Sequence, residues 1–491
     1  MTAVGALADL EPALVWTHFL ALTRIPRPPK EEERAREHVL AWSRRLGYAS
    51  EVDGEGNVVV RIPASAGREA APTVVLQSHL DMVCERDPES PFDPRTGPIE
   101  VLLEDGWVAA NGTTLGADNG IGVAAAMAIG EDDTLEHGPL ELLFTVSEEQ
   151  GLEGAKALDP DFVTGRLLVN LDGGDEEGTI TVGCAGSIHT FTRLALHPEP
   201  AVPESVALEV TLAGARGGHS GADIAAGRVN AIKGLGRVLS RARAEAPFRL
   251  ALLDGGVSRN ALPRQARAVF SLAAESEPNF RAAAERELAA LRRQFAGTDD
   301  ALTLTFASTE ADVAAEDETS VRALDLLATL PSGVIAMTPS LPGAVETSSS
   351  VTVAETVDGV LTLGSMTRSA NARALDDVEA TIAAAARLAG AELEVRRSYP
   401  PWVPDLGSGL LAAAQRTHER VFGEAPGLKV VHGGLECAVI GERIPDIEMI
   451  SIGPDIRGPH APGERLGVAS TQRFYRLLGA LLHDLSRPSS E

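Results

Sequence analysis

Apolar positions along this chain follow two different rhythms. In the first third they form short unbroken runs: "NVVVRIP", "TVVLQSH", "LELLFTVSEE" and "RLLVNLDGG". Runs of this length, rich in Val, Leu and Ile, predict strands buried on both faces. Residues 11 to 25 and 31 to 46 instead space their apolar positions as amphipathic helices do. "IPRPP" separates the two, and the acidic "KEEE" suits a helix N-terminus. "GADNGIGVAAAMAIGED" predicts a loop entering an Ala-rich helix. Strands alternating with helices predict an α/β domain with a mostly parallel central sheet flanked by helices.

Beyond "GCAGS" (183 to 187) the rhythm changes to alternation. "SVALEVTLAGA" and "RQARAVFSLAA" place apolar and polar residues in turn, as half-exposed strands do. The long polar helix "VNAIKGLGRVLSRARAE" lies between them. This predicts an inserted α+β domain, an open-faced sheet with helices on one side. It runs to "RRSYPPWVP" (396 to 404), whose prolines suggest a linker. The helix "GLLAAAQRTHERVFG" and the buried strand "IEMISIGP" follow, and "SRPSSE" reads as a frayed end. The parse is one α/β domain in two pieces, 1–185 and 399–491, with 186–398 inserted. No internal repeat of 20 to 50 residues is visible.

Composition narrows the partners. At 491 residues the chain is too long for a single small core. A net charge of −27 argues against nucleic acid and anionic membrane surfaces, and it also serves solubility without specifying a substrate. Asp9, Glu11 and His18 interrupt the apolar N-terminal stretch, so no secretory signal is expected. No apolar run reaches membrane-spanning length. Cys84, Cys184 and Cys437 are odd in number and far apart, which fits neither a disulfide framework nor a CxxC metal site. A reducing, cytoplasmic setting is expected.

Chemistry gathers where the predicted strands end. His79 and Asp81 follow one strand, Glu148 and Glu149 another, Asp172 and Asp175 a third. Asp118 sits in "LGADNG", and His460 lies among glycines and prolines in "GPDIRGPHAPGE". In open α/β sheets, ligands bind beyond the carboxyl ends of the strands. Imidazoles plus carboxylates without sulfur make a zinc-type donor set. The set exceeds one tetrahedral ion. Two ions sharing a bridging carboxylate would use five ligands and leave Asp81 and Glu148 for other work. Asp81 would accept from the His79 ring N–H, and Glu148 would take a proton from a metal-bridging water. The plainer alternative is that acids after strands cap helices or face solvent. The recurrence across five segments favours a metal hydrolase.

The ordered run "SHLDMV", "GTTLGADNGIGVA", "SEEQGLEGA", "NLDGGDEEG", "GGHSGADI", "RNALPR" and "GLECAV" resembles the aminoacyl-histidine dipeptidases, the peptidase D or cytosol non-specific dipeptidase group of co-catalytic zinc peptidases. The resemblance covers essentially the whole chain. It implies a zinc-peptidase domain carrying an inserted lid or dimerisation domain. It also implies two Zn²⁺, replaceable by Co²⁺ or Mn²⁺, and hydrolysis of dipeptides, with Xaa-His such as β-alanyl-histidine preferred. N-acyl amino acids and tripeptides are the alternative substrates.

In that pattern Asp118 bridges, His79 and Asp172 complete one metal, and Glu149 and His460 complete the other. Asp81 orients His79, Glu148 is general base and acid, and the peptide after Asp118 is cis. His219 is matched to an oxyanion-stabilising His, often supplied by the partner of a homodimer, and Asn260 to a substrate-binding position. Arg368 is the candidate grip on the substrate carboxylate, with a surface Arg as the alternative. Glu436 either faces the substrate ammonium or caps a helix. Ala438 stands where the family pattern leads one to expect Gly.

Other signals are set aside. "GIGVAA" fits a dinucleotide fingerprint but follows no apolar strand, and Asp118 would repel pyrophosphate. No G-x-S-x-G elbow is present, and Ser78 and Ser147 have no evident base. His18, His38, His137, His189, His197, His418 and His483 fall in predicted helices or loops without a site, and His432 beside "GGLEC" is ambiguous.

Overall fold

The computed structural model of the chain describes residues 10–173, 178–200 and 204–487. Asp175 and the last residues of "SRPSSE" lie outside the described residues. The chain forms two compact units. One comprises residues 1–183, 402–430 and 435–491; the other comprises 184–401 and 431–434.

The first unit is built on an eight-stranded sheet. Its order is Ala49–Val52, Val58–Ile62, Leu140–Thr145, Val74–His79, Leu167–Asn170, Glu448–Ser451, Thr179–Cys184 and Gly427–Val431. The strands from Leu140–Thr145 to Glu448–Ser451 run parallel. The pairings of Ala49–Val52, Val58–Ile62 and Leu140–Thr145 are antiparallel. The unbroken apolar runs are these parallel strands: Val74–His79 and Leu140–Thr145 are buried at every position. Helix Ala117–Glu131 is buried almost all round, which explains why it is made of Ala and Gly rather than an amphipathic stripe. At Gly122 an added Cβ would come 2.8 Å from the Leu171 carbonyl, so the helix packs closer than any side chain permits.

A second, four-stranded sheet in this unit has the order Ile456–Arg457, Arg465–Gly467, Trp107–Ala110, Val101–Glu104. The hairpin Val101–Ala110 closes through Asp105 and Gly106, both at positive φ (49° and 81°). An Asp-Gly pair between apolar runs is a strong hairpin signal, and the sequence reading passed over it.

The second unit carries a nine-stranded antiparallel sheet with helices Ala231–Arg243, Glu277–Gln294, Asp317–Thr329 and Ala372–Ala389 packed on its core. Ser205–Ala213 alternates buried and half-buried positions, as its sequence predicts. Two expectations need correction. Strand Glu392–Tyr399 pairs with Gly186–Ala195, so residues 396 to 399 belong to the sheet and not to a linker. His189 stands inside strand Gly186–Ala195, not in a helix or loop.

Main-strand order in this sheet is palindromic. Strands Ser205–Ala213, Phe248–Gly255, Ala266–Ala273 and Thr303–Thr309 form one set of four. Gly186–Ala195, Val345–Val357, Val360–Ser369 and Glu392–Tyr399 form another. Numbering each set 1 to 4 along the chain, the sheet reads 4-1-3-2 and then 2-3-1-4. In each set one helix precedes strand 2 and another connects strands 3 and 4. The unit is therefore one topology built twice, with strand Gly333–Met337 added beside Val345–Val357. Each set spans far more than 50 residues, and the second is interrupted by the first, so the duplication lies outside the 20- to 50-residue repeats that the sequence lacks.

Candidate metal centre

The site is assembled from chain ends that parallel pairing brings to one edge. Val74–His79 runs in register with Leu140–Thr145, so His79 lies beside Thr145, and Leu167–Asn170 flanks the same strand. The loops leaving that edge carry Asp81, Glu148, Glu149 and Asp172. Asp118 enters from the start of helix Ala117–Glu131, where Asp118 and Asn119 depart from helical φ/ψ. The Asp118–Asn119 peptide is cis. His460 sits at the tip between Ile456–Arg457 and Arg465–Gly467. Of these, Arg465–Gly467 pairs with Trp107–Ala110, which leads into the Asp118 loop, so the small sheet brings the two loops together.

Asp118 stands in the middle. Its Oδ1 lies 3.0 Å from His79 Nε2 and its Oδ2 lies 3.2 Å from His460 Nε2. His79 Nε2 is 3.9 Å from Asp172 Oδ1, and His460 Nε2 is 3.1 Å from Glu149 Oε2. Three overlapping groups of donor atoms result, each within 4.8 Å: His79–Asp118–Asp172, Asp118–Glu149–His460 and His79–Glu148–Glu149. Donors on one tetrahedral cation stand roughly 3.3 to 3.6 Å apart for metal–ligand bonds of about 2.0–2.2 Å. The observed spacings bracket that value, and Asp118 is shared between two of the groups.

Protonation chemistry fits a cation as well. Burial raises Asp172 well above the usual carboxylate range, reinforced by Asp118 beside it. Glu148 is raised well above its usual range by burial, against the pull of His79. Hydrogen bonds to Asp118 and Glu149 push the His460 imidazole up to about 11. Burial works against ionisation of Asp118, but the imidazoles of His460 and His79 outweigh it and hold its carboxyl below the usual range. Glu149 Oε1 is buried and has no hydrogen-bond partner among the described residues. Carboxylates packed this tightly need positive charge, so the donor set fits divalent cations.

Carboxylates also fix the loops themselves by accepting backbone N–H groups. Asp81 takes the amides of Glu148 and Glu149 through Oδ1 and Oδ2, each at 3.0 Å. Its expected role toward His79 is therefore divided. His79 Nδ1 lies 3.1 Å from the Asp81 carbonyl oxygen and 3.4 Å from Oδ1, so main chain rather than side chain is the nearer acceptor. Ser147, at positive φ (52°), is pinned by Glu32, which accepts from its N–H and its hydroxyl.

Glu464 accepts four successive amides, Leu115, Gly116, Ala117 and Asp118, at 2.8, 3.0, 2.8 and 3.2 Å. Opposite it, the fully buried Arg27 guanidinium donates to the carbonyls of Leu80, Asp81 and Gly116. Arg27 lies in "IPRPP" and Glu464 ends "HAPGE", and neither is among the candidate site residues that the sequence offers. A charged residue inside a Pro- and Gly-rich turn was the available signal.

Glu436 does not cap its helix through its side chain. It is fully buried at the start of Glu436–Arg443, accepts from Gln77 (2.6 Å) and Thr145 (2.7 Å), and leaves Oε1 unpartnered among the described residues. Burial pushes its pKa up to about 7. Ala438 lies buried within that helix and not in a loop.

The remaining named residues belong to the second unit. His219 is on a two-residue strand paired with Ala261–Leu262, and the amide of Ser220 donates to the Asn260 carbonyl at 2.7 Å. The amides of Gly221 and Ala222 donate to His219 Nδ1 at 3.2 and 3.1 Å. A ring accepting at Nδ1 carries its proton on Nε2. Arg368 is buried, not a surface side chain, and donates to the Tyr399 hydroxyl at 3.1 Å. His432 Nε2 lies 2.7 Å from Ser348 Oγ, and burial together with Arg368 lowers its pKa to about 4, so the ring is neutral.

The profile of Peptidase family M20/M25/M40 matches residues 75–484. The chain belongs to this peptidase family and is a hydrolase of peptide bonds. It is 36% identical over 486 residues to the cytosol non-specific dipeptidase of Escherichia coli (strain K12), covering 98% of this chain and 99% of that protein. The crystal structure of aminoacylhistidine dipeptidase from Vibrio alginolyticus matches with a TM-score of 0.88 at 34% identity, over 97% of both chains. Aminopeptidase PepT from Bacillus cereus shares the fold, with a TM-score of 0.57 at 17% identity, over 97% of this chain and 100% of that one. Among the described residues no helix is long and apolar enough to cross a membrane.

Proposed function

We propose that this protein is a two-metal dipeptidase that prefers Xaa-His substrates such as β-alanyl-histidine. The observation that carries the reading is Asp118 shared between two groups of donors, one with His79 and Asp172, the other with Glu149 and His460. These five residues would hold two divalent cations, Zn²⁺ with Co²⁺ or Mn²⁺ as substitutes. When bound, such a pair supplies Lewis acidity that lowers the pKa of water and polarises a carbonyl.

The chain's own groups do the rest. Glu148 accepts a proton from the attacking water and returns it to the leaving amine nitrogen as the C–N bond breaks. Burial raises this carboxyl, which favours its holding the proton between the two steps. Asp81 holds Glu148 and Glu149 by their amides and limits the tautomers of His79. His219 is assigned the oxyanion of the tetrahedral state, through Nε2–H. Arg368 is assigned the substrate carboxylate, Asn260 a further substrate contact, and the unpartnered Oε1 of Glu436 the substrate ammonium. The second unit is assigned the roles of lid and dimerisation domain. Exposed Val334, Ile335 and Met337 on strand Gly333–Met337 support self-association there. Buried thiols at Cys84, Cys184 and Cys437 agree with a cytoplasmic setting.

The test is release of free histidine from β-alanyl-histidine by purified protein, with Zn²⁺ added and after chelation. Chelator-sensitive release supports the reading. Bound metal without histidine release would discard the Xaa-His preference and direct attention to other dipeptides, tripeptides and N-acyl amino acids.

A further inference from the structure

Three polar residues stand near the ends of apolar strands in the first unit, and all three are fully buried: Gln77, Asn170 and Ser451. They come from three parallel strands, yet they fall in one row. Gln77 is the register partner of Asn170, and Asn170 is the register partner of Ser451. Amides and hydroxyls inside a sheet cost stability unless each finds a partner. Here the partners form a chain with one direction.

That direction is set by a donor that cannot be reversed. The backbone N–H of Asp172 donates to Asn170 Oδ1 at 3.1 Å, and Ser451 Oγ donates to the same oxygen. This assigns the acceptor end of the Asn170 amide, so its Nδ2 donates to Gln77 Oε1, at 2.6 Å. Gln77 is assigned in turn. Its Nε2 donates to Glu436 Oε2 at 2.6 Å and to Thr145 Oγ1 at 3.1 Å. The Thr145 hydroxyl donates to the same Oε2 at 2.7 Å. Each amide settles the orientation of the next.

Glu436 ends the row. Its Oε2 takes two donors, while its Oε1 is buried with no partner among the described residues. Its charged neighbours include His79 and Asp81, and it acts in turn on Glu148. It belongs to none of the three groups of metal-type donors found among the described residues. A carboxylate held by one oxygen, with the other buried and free, is matched to a compact cation that carries its own N–H donors.

We propose that Ser451, Asn170 and Gln77 form a positioning relay that aims Glu436 Oε1 at the ammonium of a peptide, and that this relay selects substrates with a free amine over N-acyl amino acids. The inference rests on the assignment of Glu436 to the substrate ammonium given above, and it adds the residues that make that contact selective. Gln77 acts through Glu436, and Asn170 acts through Gln77.

The test compares the dipeptide cleaved best in the assay above with its des-amino counterpart, which for β-alanyl-histidine is propionyl-histidine. KM for the first and the inhibition constant for the second give the preference for the amine. Wild type is expected to prefer the amine at least ~10-fold, and Glu436→Gln to lose most of that preference. Gln77→Met keeps the bulk and removes both hydrogen-bonding ends. It is expected to lose at least ~5-fold of the preference, through KM with kcat nearly held and both metals retained. Asn170→Asp keeps the acceptor for Asp172 but no longer donates to Gln77, so Gln77 turns and presents its oxygen to Glu436. The same loss is expected there, from a residue that touches neither Glu436 nor substrate.

A row that only packs the sheet would lower unfolding stability and leave the preference intact in both relay variants, which would overturn the proposal. Loss of metal from Gln77→Met would also overturn it, since the row would then serve the metal loops. The two layers of the argument separate cleanly. If Glu436→Gln loses the preference and both relay variants keep it, the relay falls and the ammonium assignment stands. If wild type shows no preference, or Glu436→Gln keeps it, the assignment falls and the relay with it. A wild-type protein that cleaves no dipeptide overturns the functional reading and the relay together. Gln77→Glu, which cannot donate to Glu436, replaces Gln77→Met if that variant fails to fold.

Discussion

The two units place their polar residues by opposite means. In the first, parallel strands deliver three segments to one edge, a helix start and a small antiparallel sheet add two more, and buried carboxylates hold the Asp118 and Glu148 loops by their backbone amides. In the second, an antiparallel sheet delivers little chemistry at its ends. Its polar cluster forms where two copies of a fold are pressed together edge to edge. A site of the first kind is tied down loop by loop: Asp81, Glu32 and Glu464 accept seven amides of the Glu148 and Asp118 loops between them. A site of the second kind is only as well defined as the seam.

The sharpest way to break this contrast is at the reacting group. Glu148→Ala is expected to retain both metals and lose ~10³-fold or more in kcat, read from turnover alongside metal analysis. Loss of metal with loss of turnover would move Glu148 from proton transfer to ligation.

Next comes the amide-binding carboxylate. Glu464→Gln keeps the shape but presents an NH₂ to two of the four amides. Metal affinity in competition with a chelator is expected to fall ~10- to 100-fold, as for other groups that orient ligands. Unchanged affinity would make Glu464 a packing residue only.

A pH series sharpens the electrostatic half of the contrast. The His460 pKa is raised to about 11 by Asp118 and Glu149, so without a cation the ring holds its proton at neutral pH. A cation must expel it. Affinity should rise with pH, about tenfold per unit for each proton released, and titration in buffers of different ionisation enthalpy should count that proton. A flat profile between pH 6 and 8 would refute the placement of His460 among the ligands.

The smallest effect is expected at the seam. Asn230→Ala removes a helix cap and the hydrogen bond to the Val351 carbonyl, and should cost about 1–3 kcal/mol in denaturant unfolding. An accompanying rise in KM with kcat nearly unchanged would show that the seam governs substrate binding. No change in either would weaken the link between seam and site.

How much was legible beforehand follows the same division. His79, Glu149 and Asp172 stand directly after apolar runs, so strand ends and candidate ligands are legible together. Those three need only the rule that parallel strands end on one side, whereas Asp118 and His460 lie in Gly-rich loops and their places in the set come from the family resemblance. Arg27 and Glu464 were not read because their partners are backbone groups, which no residue type advertises. The approach of the His219 loop to Arg368 at Gly221 was out of reach for another reason. It depends on the pairing of Gly255 with Ala354, two residues with no local mark, in a duplication that survives as topology and not as sequence. The Asp-Gly turn of Val101–Ala110 was legible and overlooked.

The nesting of the chain has one more consequence. The second unit interrupts the first, and within it the set from Ser205 to Thr309 interrupts the other set after its first strand. Pro198–Pro200 pairs with Val313–Ala315 where that inner piece leaves and returns, like a clasp on a pouch. A polypeptide emerging from a ribosome must therefore finish the innermost piece first and return to the outermost last. Four of the five ligand-type residues are made early, and His460 follows only after the whole second unit. On the proposed ligand set, the nascent chain would hold an incomplete cation site from Asp172 onward, and would gain its last ligand only after the rest of its own architecture had been laid down.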